Sequence, residues 1–157
     1  RRACSLNGGC TAFGFMHADC IGGTLVGTPA GKGATPPPTQ PLNCGKATPG
    51  EGLARGRSVN SCNLRYSLTM QTDGNLVLRD SQKTAALWAT NTSGTDGYEA
   101  LFQTDGNLVV YGTNQDALWA SDTNGKGAVV LMLQDDGNVV LYDGQNNPVW
   151  QTGTAGQ

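Results

Sequence analysis

From residue 64 onward the chain repeats itself, and this constrains its fold more than any local propensity. The first copy reads Met70-Gln71-Thr72-Asp73-Gly74-Asn75-Leu76-Val77-Leu78-Arg79. The second reads Phe102-Gln103-Thr104-Asp105-Gly106-Asn107-Leu108-Val109-Val110-Tyr111. The third reads Leu133-Gln134-Asp135-Asp136-Gly137-Asn138-Val139-Val140-Leu141-Tyr142. The glutamines are 32 and 31 residues apart, and each copy closes on a tryptophan, Trp88, Trp119 or Trp150, at intervals of 31 and 31. The settings of these tryptophans match too: Leu87-Trp88-Ala89-Thr90, Leu118-Trp119-Ala120-Ser121, Val149-Trp150-Gln151-Thr152.

Each copy reads as a β unit. No window shows a 3.6-residue apolar period, and β-branched and aromatic residues flank the Asp-Gly signals. Asp-Gly could be a two-residue hairpin loop or the end of a three-residue one. Facing favours three residues, Thr104-Asp105-Gly106 in the second copy, with glycine in the left-handed position. Gln103 then lies opposite Asn107, and period two puts Asn107, Val109 and Tyr111 on its face. Phe102, Leu108 and Val110 turn towards a core. Leu101 and Met132 fall on the polar face, so that face is not wholly solvated.

The polar set is an amide, a carboxylate, a second amide, a small apolar patch and a phenol. Vicinal sugar hydroxyls donate to a carboxylate and accept from amide N–H groups, and a tyrosine hydroxyl does either. Valine covers an apolar edge of a pyranose ring. The bond to the carboxylate is the strong one, ~1.5–3 kcal/mol gross. A turn sequence alone accounts for Asp and Gly. It does not account for Gln and Tyr at fixed offsets away from the core. The three tryptophans are expected to converge as core rather than to stack on sugars.

This pattern, Gln-x-Asp-x-Asn-x-Val-x-Tyr with a closing Trp, resembles the bulb-type monocot mannose-binding lectins, the snowdrop-lectin family, over roughly residues 47–157. The resemblance implies an all-β fold, the β-prism II: three four-stranded antiparallel sheets with pseudo-three-fold symmetry. It implies one mannose pocket per sheet, no metal, and a tryptophan core. In the family Gln and Tyr reach O3 and O4 of the sugar, Asp and Asn read the axial O2, and Val packs on the ring. Copy two matches in full (Gln103, Asp105, Asn107, Val109, Tyr111), as does copy three (Gln134, Asp136, Asn138, Val140, Tyr142). Copy one matches at Gln71, Asp73, Asn75 and Val77 but has Arg79 for Tyr, a longer and charged group that only donates. The family's usual disulfide is missing, since position 74 is Gly and the only cysteine nearby is Cys62.

Composition changes near residue 50. Residues 1–52 hold 11 of the 23 glycines, 6 of the 7 prolines and four of the five cysteines. Residues 1–46 are therefore expected to be a Cys-rich N-terminal segment, with a spacer at Thr35-Pro36-Pro37-Pro38-Thr39-Gln40-Pro41, and 47–157 the repeat domain. Cysteines 4, 10, 20, 44 and 62 contain no Cys-x-x-Cys, and His17 is the only histidine, which argues against structural zinc. They read as a disulfide framework made in an oxidising compartment, two bridges and one odd thiol, and hence as a secreted protein. No apolar leader follows Arg1-Arg2-Ala3-Cys4, so a secreted chain would be a mature form. Asn91-Thr92-Ser93 is a glycosylation sequon that matters in a eukaryotic host.

A net charge of −2 gives no field for nucleic acid, and the longest clean apolar run, Ala128–Leu133, is too short to span a bilayer. Asp135-Asp136 is an adjacent carboxylate pair, but neighbours in a strand diverge, so glycosidase chemistry is disfavoured. His17 near a cysteine does not make a thiol enzyme, and no calcium loop accompanies the Asp-x-Asn spacing. The expectation is a non-catalytic lectin without cofactor or metal whose partners are mannose-containing glycans or glycoproteins. The odd thiol offers one route to a homodimer and prism pairing another. Two alternatives are an antimicrobial or toxin using residues 1–46 as effector, and a structural prism with vestigial pockets.

Overall fold

The computed structural model describes residues 44–157 in full and, before them, the backbone of four short strands. These are β1 (Arg2–Cys4) paired antiparallel with β2 (Cys10–Ala12), and β3 (Asp19–Ile21) paired antiparallel with β4 (Thr24–Val26). The spacer at 35–41, the environment of His17, and the pairing of Cys4, Cys10 and Cys20 lie outside the described residues. The chain divides into two units, Arg1–Leu42 and Asn43–Gln157. The composition-based boundary at 46/47 falls inside a strand of the second unit, β5 (Lys46–Ala47). A two-residue strand leaves no compositional trace.

In the second unit each sequence repeat builds three strands. Copy one supplies β8 (Tyr66–Met70), β9 (Leu76–Asp80) and β10 (Ala86–Ala89). Copy two supplies β11 (Gly97–Phe102), β12 (Leu108–Gly112) and β13 (Ala117–Ala120). Copy three supplies β14 (Ala128–Leu133), β15 (Val139–Asp143) and β16 (Pro148–Gln151). The fourth strand of every sheet comes from the stretch before the repeats. β5 lies on the edge of the third sheet, β6 (Gly52–Ala54) on the second and β7 (Arg57–Asn60) on the first. The result is three four-stranded antiparallel sheets, β10-β9-β8-β7, β13-β12-β11-β6 and β16-β15-β14-β5, as the resemblance implied. Cys44 is bonded to Cys62, which closes this stitching segment over a separation of 18 residues. In a chain-entropy picture such a loop closure contributes about 3 kcal/mol.

Alternation puts the core where the repeat predicts it. Leu68, Met70, Leu76 and Leu78 of the first sheet meet Ala100, Phe102, Leu108 and Val110 of the second and Leu131, Leu133, Val139 and Leu141 of the third, all buried. Trp88, Trp119 and Trp150 converge with ring centroids 5.4, 5.7 and 5.8 Å apart in edge-to-face contacts. They are half-buried and pack against the core. Each turn glycine also buttresses the next copy. A Cβ on Gly106 would stand 3.1 Å from the backbone of Ala128, and one on Gly137 would stand 2.6 Å from the ring of Tyr66.

Candidate functional site

The hairpin between β11 and β12 has the three-residue loop expected. Gln103 N–H donates to the Asn107 carbonyl at 2.8 Å, and Gly106 has φ +86°. The other two loops repeat it, with Gly74 at +91° and Gly137 at +88°. Only glycine adopts this backbone readily. The loop therefore brings Gln, Asn, Val and Tyr to one face, with Asp at its tip.

In site two, the Asp105 side chain serves the turn through one oxygen, accepting from Asn107 N–H at 2.9 Å. Its second oxygen meets no donor among the described residues and points to solvent-accessible space. The Gln103 amide donates to the Tyr111 hydroxyl at 2.5 Å. That pairing uses an acceptor site on the phenol and leaves its O–H to donate outward, with the Gln103 carbonyl free to accept. Site three repeats this: Gln134 donates to Tyr142 at 2.8 Å, and Asp136 accepts from Asn138 N–H at 2.9 Å.

The asparagines carry a second task. Asn107 Oδ1 accepts from Ser121 Oγ at 3.0 Å and from Thr123 N–H at 3.1 Å. The Thr123 hydroxyl then donates to the Gly106 carbonyl at 2.7 Å. The segment after each tryptophan-bearing strand is thereby laced onto the turn. Thr90 and Thr92 do the same around Asn75 in copy one, and Thr152 and Thr154 around Asn138 in copy three. Backbone donors fix the oxygen inward, so the NH₂ of Asn75 and of Asn107 faces the site. These hydroxyl residues escaped sequence reasoning, although Trp-x-Thr/Ser-x-Thr at a fixed offset in all three copies was the signal.

The valines are buried floor rather than exposed patch. Val77, Val109 and Val140 are 2%, 2% and 1% exposed, each held between its cross-strand partners. What apolar surface they offer a ring is narrow.

Site one brings Gln71, Asp73, Asn75 and Val77 together but differs twice. Arg79 turns its guanidinium to the Thr84 carbonyl at 3.3 Å. The outer oxygen of Asp73 accepts from Ser93 Oγ at 2.7 Å. That hydroxyl, followed by the Asn75 N–H, holds the Asp73 carboxyl below its usual range. Both oxygens of the site-one carboxylate are thus satisfied internally, where site two leaves one open.

Asp135 and Asp136 do not diverge because of strand alternation, as expected from the sequence, since both lie in the turn between β14 and β15. They part because Asp135 accepts from Asn63 N–H at 2.8 Å while Asp136 caps Asn138. Beside site two, a groove lined by Tyr98, Glu99 and Leu101 continues from the Gln103–Tyr111 pair. Among the described residues no group of three or more His, Cys, Asp or Glu side chains could hold a metal ion.

No protein-family model matches the chain. It is 52% identical over 63 residues to a mannose-specific lectin of Narcissus pseudonarcissus, a stretch covering 40% of this chain and 54% of that protein. The chain thus spans about half the length of that curated relative. Among solved structures, it resembles a monomeric monocot mannose-binding lectin from Gastrodia elata, with TM-score 0.62 and 40% identity over 70% of this chain and 97% of the other. It resembles the mannose-specific agglutinin from snowdrop (Galanthus nivalis) bulbs, complexed with methyl-α-D-mannoside, with TM-score 0.57 and 41% identity over 70% and 96%.

Proposed function

The chain belongs to the bulb-type mannose-binding lectins of snowdrop kind, and from that premise we propose that it binds mannose-rich glycans through sites two and three. The carrying observation is the open polar set repeated in two sheets: a Gln–Tyr pair already hydrogen-bonded, and a carboxylate with one oxygen committed to the turn and one left over. A hexose hydroxyl donates to that oxygen and accepts from the phenol. Site one, with Arg79 and a Ser93-bound carboxylate, contributes little. The role is binding, not catalysis, and direct hydrogen bonds to sugar make a metal unnecessary. Secretion is part of the proposal, and the Cys44–Cys62 bridge supports it.

A shallow site with a handful of solvent-competing hydrogen bonds should bind one mannose at about millimolar strength, near −4 kcal/mol. Sites on separate sheets of one rigid body suit bridging, and linkage raises avidity by ~10²–10⁴. Mannan should therefore be retained far better than free mannose competes. The test is a glycan array with the intact protein, repeated in EDTA, plus calorimetry with methyl-α-D-mannoside. Mannose-terminated glycans should dominate unchanged by EDTA. Loss in EDTA restored by calcium, or a low-micromolar monosaccharide constant, would overturn the reading.

A further inference from the structure

Sites two and three match in every motif residue, yet they differ at the residue after the tryptophan. Ala89 pairs with Val77 across β10–β9, and Ala120 pairs with Val109 across β13–β12. In the third sheet the same register places Gln151 opposite Val140. Cross-strand partners share a face, so Gln151 adds a long amide to the ligand-facing side of site three alone.

That amide reaches the motif. Gln151 Oε1 accepts from Asn138 Nδ2 at 2.9 Å. The direction of this bond is fixed from the other end, because Asn138 Oδ1 already accepts from Gly153 N–H, Thr154 N–H and Thr152 Oγ1. Asn138 is accordingly buried, 5% exposed, whereas Asn75 and Asn107 are half-buried. The NH₂ of Asn107 finds no acceptor among the described residues and is available to a ligand.

We infer that Gln151 is a specificity-determining residue that sets site three apart from site two by occupying the asparagine donor a mannose hydroxyl would use. This rests on reading sites two and three as mannose sites. A monosaccharide entering site three must displace the Gln151 side chain or forgo the Asn138 donor. One exchanged hydrogen bond weakens site three against site two by ~3–10-fold. Gln151 is exposed and makes no other side-chain hydrogen bond among the described residues, so removing it leaves the scaffold's bonds intact.

The experiment titrates ¹⁵N-labelled protein with methyl-α-D-mannoside and follows the side-chain NH₂ signals of Asn107 and Asn138 separately. In the native chain the Asn138 midpoint should lie at the higher concentration. Gln151→Ala should bring it to the Asn107 midpoint, and Ala120→Gln should raise the Asn107 midpoint instead. Equal midpoints in the native chain, or a gap that Gln151→Ala leaves standing, would overturn the inference while leaving the mannose reading intact. Failure of that reading looks different, and sinks both: neither signal moves in any variant.

Discussion

Asp105→Asn separates the two jobs of the site-two carboxylate. The oxygen that accepts from Asn107 N–H at 2.9 Å is kept, because only the amide's carbonyl can meet that donor. The new NH₂ is thereby forced into the position of the outer oxygen, the one left for ligand. A charge-assisted bond worth ~1.5–3 kcal/mol is lost, and a donor now faces a donor. The expected loss at site two is ~10–150-fold, with thermal stability held near native. Asp105→Ala should lose the same binding and some stability as well, since it uncaps the turn. Titration with methyl-α-D-mannoside, read at the Tyr111 ring signals and paired with thermal melts, distinguishes the two. Combining Asp105→Asn with Asp136→Asn should abolish retention on mannose resin. Substantial retention by that double variant would show site one or another surface to be the real site. A melting temperature that falls as far in Asp105→Asn as in Asp105→Ala would show that the charge, not the acceptor, holds the turn.

In site one, Arg79→Tyr should rebuild the Gln71–Tyr pair yet bind weakly, because Ser93 still occupies Asp73. Adding Ser93→Ala should gain a further ~3–10-fold, read at the Asn75 NH₂ signal. The Arg65 fork on Asp80, with Nε–Oδ1 at 3.0 Å and Nη2–Oδ2 at 2.7 Å, holds the Asp80 carboxyl down to about 2. A lowered folded-state value contributes stability above the ordinary carboxylate range and loses it as pH falls towards 2. Asp73, Asp96 and Asp143, also lowered, add to the same slope. Melting temperature should therefore drop with acid over this window, and less steeply in Asp80→Asn. Gly137→Ala puts a methyl 2.6 Å from the Tyr66 ring on a backbone at φ +88°, so chemical denaturation should show a loss of about 2 kcal/mol or more.

Much of the domain was legible because period two and the turn chemistry agree. The three-residue loop, its left-handed glycine, the inward Phe102, Leu108 and Val110, and the meeting of Trp88, Trp119 and Trp150 all follow from that agreement. The edge strands β5, β6 and β7 did not, since each has two to four residues, belongs to no repeat, and pairs with a different sheet. Alternation puts Val77, Val109 and Val140 on the polar face but does not give how deeply cross-strand neighbours cover them. The Ser93–Asp73 and Gln151–Asn138 bonds join residues 20 and 13 apart whose approach depends on how the chain runs past each tryptophan.

Those two bonds bear on what the motif can prove. Asp, Gly and Asn are identical in all three copies, but all three are bound into the turn: Asp through the Asn N–H, Gly through its φ, Asn through the donors beyond the tryptophan. Their presence would be demanded by the fold in a sheet that bound nothing. The copies differ at residues that the turn itself does not require. Arg79 replaces Tyr111 and Tyr142, Ser93 stands where Asn124 and Ala155 do, and Gln151 replaces Ala89 and Ala120. Function is therefore read from the freely placed positions, and the Gln–Tyr pair is a stronger sign of sugar binding than the Asp-Gly-Asn beside it. By that criterion, under the proposed function, site two ranks first, site three below it because Gln151 holds the Asn138 donor, and site one last, where Arg79 and Ser93 have replaced the freely placed partners.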